Sequence, residues 1–284
     1  MTSGKGGVGK TTLAVNLALA MVRRGLKTLL FDADMGMANA HIFAGINPKH
    51  TVLDVLHGRL SGEEALMEGP NGLQMLCGPS GLTELADLGA EDLARVTGEL
   101  DRLMGGFDAV VVDTGAGISR VVMEYLRIAD EIVVVVTPDL ASSLDAYGVI
   151  KVAREAKVSG SIHLLANLVE NEDEVAGVCG RIIGCTERFL KFTPNTLGAV
   201  YRDRALHDAN QARRPLMLSG LGADSARRID KMIPCLIKKP DRQTAAEPWS
   251  RMGMLVTGLR TTLNHHPRFR SNLREGTHNE YANA

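Results

Sequence analysis

Nine residues near the amino terminus, Gly4-Lys5-Gly6-Gly7-Val8-Gly9-Lys10-Thr11-Thr12, fit the pattern G-x-x-x-x-G-K-[ST]. Such a loop is the turn from a buried parallel strand into a helix, so it commits the chain to an α/β fold before any other residue is read. Its glycines let successive backbone N–H groups curl around an anionic phosphate. Lys10 reaches the β- and γ-phosphates, and the Thr11 hydroxyl is a ligand for Mg²⁺. The loop therefore implies a bound nucleoside triphosphate. Lys5 is a second cation inside the motif. One lysine suffices to hold the terminal phosphates, so Lys5 is either solvated or directed at a phosphate from elsewhere, such as a facing subunit.

Downstream, Thr11 to Arg24 reads as a helix with an apolar face of Leu13, Leu17, Ala20 and Met21, closed by Gly25. Short, β-branched apolar runs follow at Thr28 to Phe31, Leu73 to Leu76, Ala109 to Val112, Ile132 to Val136, His163 to Ala166 and Leu197 to Val200. Continuous rather than alternating apolarity marks strands buried on both faces. Helical segments are expected near 89 to 104, 119 to 128, 141 to 157, 173 to 191, 204 to 213 and 223 to 237. The pattern predicts a doubly wound, mostly parallel sheet, in which ligands sit at the carboxyl ends of the strands. The strand that should precede the phosphate loop is apparently missing, because only Met1-Thr2-Ser3 stand before it.

Two strand ends carry carboxylates. Asp113 closes the run at 109 to 112, where a carboxylate can hold the water shell of a Mg²⁺ beside the triphosphate. Asp32 and Asp34 close the run at 28 to 31 and precede Ala38-Asn39-Ala40, so they either cap a helix starting there or serve the phosphates. The 284 residues are 45% apolar and carry a formal net charge of -1, which gives no overall bias toward nucleic acid. Cys77, Cys179, Cys185 and Cys235 have neither C-x-x-C nor zinc spacing, which predicts reduced thiols in the cytoplasm. No apolar run is long enough to span a bilayer, so membrane contact is expected to be peripheral.

The sequence K-G-G-V-G-K-T-T followed by Asn16-Leu17-Ala18 resembles the deviant Walker A motif of the MinD/ParA ATPases. The resemblance implies ATP and Mg²⁺ as ligands and an ATP-dependent homodimer, with Lys5 as the lysine that crosses to the partner's nucleotide and Lys10 as the lysine acting in its own subunit. It makes Asp113 the Walker B residue, places Asp32 near the metal and gives Asp34 the positioning of attacking water. It matches Asn167 and Asp203 to base-binding positions, although Leu168 stands where arginine is common and the proline usual near Asp203 is absent. Relatives carry about five apolar residues ending in Val-Thr-Ser-Gly where this chain has Met-Thr-Ser-Gly. The expectation is a true start upstream of Met1, against the alternative that the fold tolerates the loss.

Asp32-Ala-Asp-Met-Gly-Met-Ala-Asn39, Glu68-Gly-Pro-Asn-Gly72, Cys77-Gly-Pro-Ser-Gly81, Asp113-Thr-Gly-Ala-Gly-Ile-Ser119 and Thr137-Pro138 are similar to the flagellar FlhG/FleN branch. That implies control of flagellar number or placement, with an FlhF-like GTPase of the signal-recognition type as a partner. The N-terminal glutamine-containing motif by which relatives activate that GTPase does not stand before the loop, which the same upstream start would explain, and His41 replaces a frequent aspartate. Alternatives are a MinD/ParA positioning ATPase for another cargo, or a slow-turnover ATP sensor. A metallocluster carrier on the same fold would need paired cysteine ligands.

The ATPase domain is read as 1–237, with a linker at 238–248. In the segment 249–265, Trp249, Met252, Leu255, Val256, Leu259 and Leu263 share one face at helical spacing. From Lys238 to Arg274 there are eight lysines and arginines against two acids, which suits an anionic membrane surface. The alternative is a helix docked on the protein's own core or on a partner. The tail 266–284 is expected to be disordered.

Overall fold

A computed structural model describes residues 1–34, 38–78 and 90–237. The candidate membrane segment at 249–265 lies outside the described residues. The first helix, α1 (Lys10–Arg23), leads into β1 (Thr28–Ala33), then the short α2 (Ala40–Ala44) and α3 (Val52–Leu56), and the strands β2 (Met67–Glu68) and β3 (Gln74–Leu76). Alternation then becomes regular: α4 (Ala90–Gly105), β4 (Ala109–Thr114), α5 (Arg120–Ile128), β5 (Glu131–Val136), α6 (Leu140–Glu155), β6 (Ser161–Val169), α7 (Glu172–Leu190) and β7 (Asn195–Tyr201). The helices α8 (Arg204–Gln211), α9 (Leu216–Ser219) and α10 (Asp224–Leu236) follow.

The strands pair in the orders β2-β3-β1-β4 and β5-β6-β7, all parallel except β2 against β3. Met1 to Ser3 stand between these two sets. The Met1 ammonium donates to Val112 O at 2.6 Å, and Thr114 N–H donates to Met1 O at 3.2 Å. On the other side Thr2 N–H donates to Val133 O and Val135 N–H to Thr2 O, each at 2.9 Å. Three residues thus stand where the sequence pattern expects a strand.

Strand residues alternate between two apolar layers, as a doubly wound sheet requires. Leu30, Val133, Val135 and Leu165 pack on the side of α1, α9 and α10. Leu29 and Phe31 pack toward α3 and α4, with Tyr125 edge-on to Phe31, and Ile132, Val134 and Leu164 pack toward α6 and α7. In α1 the burial extends beyond the expected single face: every residue from Thr12 to Met21 is buried. The helix lies between the sheet and α10, and it meets α2 and α9 as well. Asn16 joins this interior by accepting from Met217 N–H and donating to Thr12 O.

Candidate nucleotide site

Thr2 hands the chain directly to the phosphate loop, and the loop is fixed at several points. Ser3 Oγ donates to Lys5 O at 2.9 Å, and Gly117 N–H donates to Ser3 O at 2.8 Å. A Cβ at Gly4 would lie 2.3 Å from the backbone of Asp145 in α6, so only glycine permits this approach. Gly7 and Gly9 adopt φ of 78° and 83°, the left-handed region where a side chain is strained. Gly9 precedes α1, whose first turn carries no acidic residue. Its free N–H groups and dipole therefore favour a bound anion.

Inside the loop, Lys10 Nζ lies 2.8 Å from Asp113 Oδ1, with both side chains almost wholly buried. Asp113 Oδ2 is buried with no hydrogen-bond partner among the described residues. Asp32 lies beside it in register on the neighbouring strand. Burial pushes the Asp32 carboxyl up to about 6, opposed by the N–H of Ala40 and assisted by the Asp113 charge. Two adjacent carboxylates, one with an orphaned oxygen, fit a divalent cation, which would relieve their repulsion. Asp113, Asp32 and the Thr11 hydroxyl are the groups that would hold it.

The alternative of capping also has a physical basis: Asp32 Oδ2 accepts from Ala40 N–H at 2.9 Å, at the start of α2, and its Oδ1 accepts from Asp34 N–H at 3.2 Å. Asp32 therefore braces the segment that carries Asp34. Across the mouth, a Cβ at Gly115 would lie 3.5 Å from Asp34 Oδ1, so the 32–34 and 113–117 segments meet there.

Lys5 points elsewhere. Its Nζ lies 3.2 Å from Asp139 Oδ1, and both side chains are about half exposed, at 47% and 45%. Asp139 accepts from the Thr137 hydroxyl and from Ser142 N–H at the start of α6, and these bonds, with Lys5 adding to them, hold its carboxyl below the usual range. Asp139 was missed in the sequence, although it follows β5 at the strand end where ligand contacts concentrate.

Asn167 and Asp203, matched by resemblance to base-binding positions, both bond to the backbone. Asn167 is buried, donates from Nδ2 to Val8 O at 2.7 Å, and supports the loop from beneath; its Oδ1 is buried without a partner among the described residues. Asp203 caps α8 by accepting from Ala205 N–H at 2.8 Å and ties α10 through Ser225 N–H at 3.2 Å.

A glycine loop, a buried lysine–aspartate pair and strand-end carboxylates define a P-loop nucleotide-binding protein. The family model described as the CobQ/CobB/MinD/ParA nucleotide binding domain matches residues 1–266, and the chain belongs to that family. The antiactivator FleN of Pseudomonas aeruginosa is 34% identical over 214 residues, 75% of this chain and 76% of that protein. The flagellum site-determining protein YlxH of Helicobacter pylori is 35% identical over 70% of this chain and 65% of its own length. Among solved structures, the MinC:MinD cell division protein complex of Aquifex aeolicus matches with a TM-score of 0.68 at 28% identity, covering 84% of this chain and 94% of that one.

Proposed function

We propose that this chain is an ATP-hydrolysing dimerisation switch that sets flagellar number or placement through nucleotide-dependent association with the membrane. One observation carries the reading: the two lysines of one loop are held apart, Lys10 buried on Asp113 and Lys5 at the exposed rim on Asp139. A cation at the exposed rim supports a role toward a nucleotide in a facing copy, and similarity to FleN and YlxH supports the flagellar role.

In this reading the loop N–H groups and Lys10 bind the phosphates, and Lys5 adds charge stabilisation across the dimer. Bound Mg²⁺ would neutralise charge on the β- and γ-phosphate oxygens. Asp34 orients the attacking water. Turnover is slow and stimulated by a partner or by lipid. The segment 249–265 lies on the inner face of the cytoplasmic membrane, and an FlhF-like GTPase or another polar factor receives the signal.

Light scattering of the full chain with a non-hydrolysable ATP analogue and Mg²⁺ tests the switch. A dimer is expected, reduced to monomer by Lys5→Ala while the analogue still binds. A strictly monomeric unaltered chain would overturn the reading. Liposome co-sedimentation should fall when the chain is truncated after Ile237; equal binding refutes the membrane role.

A further inference from the structure

Helices α6 and α7 begin beside the phosphate loop and end far from it. Asp139, which caps α6, holds Lys5, and Asn167 on β6, the strand that leads into α7, holds Val8 O. The helices run for 16 and 19 residues. At the usual rise of about 1.5 Å per residue, their carboxyl ends lie about 24 and 28 Å from their starts.

Those two ends form one surface that is basic and partly apolar. Arg154, in the last turn of α6, stacks on the ring of Phe192 just beyond α7, 4.4 Å from its centroid, and so joins the two ends. Arg188, in the last turn of α7, lies 5.2 Å from the centroid of Phe189, which is 62% exposed. Lys157 and Lys191 follow the two helices at φ of 53° and 52°. Glycine is the ordinary residue in that left-handed conformation, so a lysine at both ends keeps a cation there at the cost of strain.

Complementing the helix dipoles accounts for cations in these turns, but not for the exposed Phe189 ring among them. The acids of the same surface are engaged: Glu155 faces Lys151 at 3.9 Å, and Glu187 accepts from the Thr193 hydroxyl at 3.0 Å. Among the described residues Arg154, Lys157, Arg188 and Lys191 make no ion pair. Four cations around one exposed ring fit a polyanion that carries apolar groups as well. Each guanidinium already covers one face of its own ring, which leaves its N–H edges for a ligand. Such edges suit carboxylates, whereas stacked bases need open aromatic faces.

We propose that the joined carboxyl ends of α6 and α7 dock an acidic polypeptide segment of another protein, with carboxylates on Arg154, Lys157, Arg188 and Lys191 and an apolar side chain on Phe189. The surface lies at the far end of these helices from the phosphate loop. Its occupation is therefore independent of bound nucleotide and of dimerisation.

Fluorescence anisotropy of the full chain with a labelled peptide of glutamates around one central leucine tests it. The glutamine counterpart of that peptide, a thymidine oligonucleotide and vesicles of phosphatidylglycerol with phosphatidylcholine are the further probes. The glutamate peptide is expected to bind equally with and without Mg²⁺ and a non-hydrolysable ATP analogue, and the glutamine peptide not to bind. Arg154→Gln combined with Arg188→Gln should weaken the glutamate peptide about tenfold, and Phe189→Ser severalfold, with Mg²⁺·ATP affinity unchanged in both. Should the double variant also lose ATP, Phe189→Ser, at an exposed position, decides alone. Absence of binding, binding untouched by the substitutions, equal binding of the glutamine peptide, or binding that requires nucleotide would each overturn the site. Tighter binding of the oligonucleotide or of the vesicles, lost in the double variant, would give the surface to nucleic acid or membrane and overturn the polypeptide reading.

Discussion

The phosphate loop and the strand ends after β6 and β7 carry ion pairs built on opposite principles. At the phosphate end Lys10 and Asp113 are 8% and 1% exposed, and Asp32 lies beside them in the interior. Just after β6 and β7, Arg202 and Glu170 are 61% and 58% exposed. Buried charges interact strongly and leave few acceptable residue identities, whereas an exposed pair contributes little and can be exchanged at low cost. The buried pair is thereby fixed, and the exposed pair is free to vary.

The sharpest way to break this contrast is to remove one partner of the buried pair. Lys10→Met leaves Asp113 charged and unpaired, and should destabilise the nucleotide-free chain by about 3–5 kcal/mol in urea unfolding. The double substitution Lys10→Met with Asp113→Asn should recover much of that loss, because neither position then carries an unpaired charge. Glu170→Gln should cost less than about 1 kcal/mol. If Lys10→Met costs no more than Glu170→Gln, the two pairs do not differ in kind.

A second measurement sharpens the phosphate end by pH. The Asp32 carboxyl, at 3.8 in the unfolded chain, is pushed up to about 6 in the folded one. Between those values the folded state holds the extra proton, so Asp32's contribution to stability falls as pH rises from about 4 to about 6 and stays low above. The shift corresponds to about 3 kcal/mol. The Asp32→Asn variant keeps one acceptor oxygen and loses the other at any pH, but its stability relative to the unaltered chain should improve by about 2–3 kcal/mol from pH 4 to pH 7. A pH-independent difference would show that the carboxylate is solvated rather than buried.

The same contrast explains what could be read in the amino-acid sequence. Glycines, Lys10 and Asp113 were legible because a phosphate loop admits few solutions, and the strands were legible because burial on both faces leaves continuous apolar runs. Helix ends fell within two residues of expectation, as at Leu140–Glu155 and Glu172–Leu190. Complete burial of α1 was not legible, since periodicity reports which residues are apolar and not how many neighbours surround the helix. Neither were the backbone hydrogen bonds of Asn167 and Asp203. An amide or carboxylate at a strand end can bind a ligand or satisfy backbone N–H groups with the same atoms, and only the fold selects between these. Asp32 does bracing work at Ala40 while remaining beside Asp113, so for this residue the two readings coexist.

Asp34 is the test with the smallest expected effect and the finest discrimination. It belongs to the phosphate end by position but is only partly buried, and its segment is held by Asp32 from behind and faces Gly115 across the mouth. A carboxylate there can orient water without contributing to the affinity for ground-state phosphates. Asp34→Ala should therefore leave ATP affinity unchanged while lowering the hydrolysis rate by about tenfold or more, near 1.4 kcal/mol of transition-state stabilisation. The nucleotide-bound dimer should accumulate. Equal losses of affinity and rate would make Asp34 a binding group like Lys10, and an unchanged rate would remove it from the chemistry.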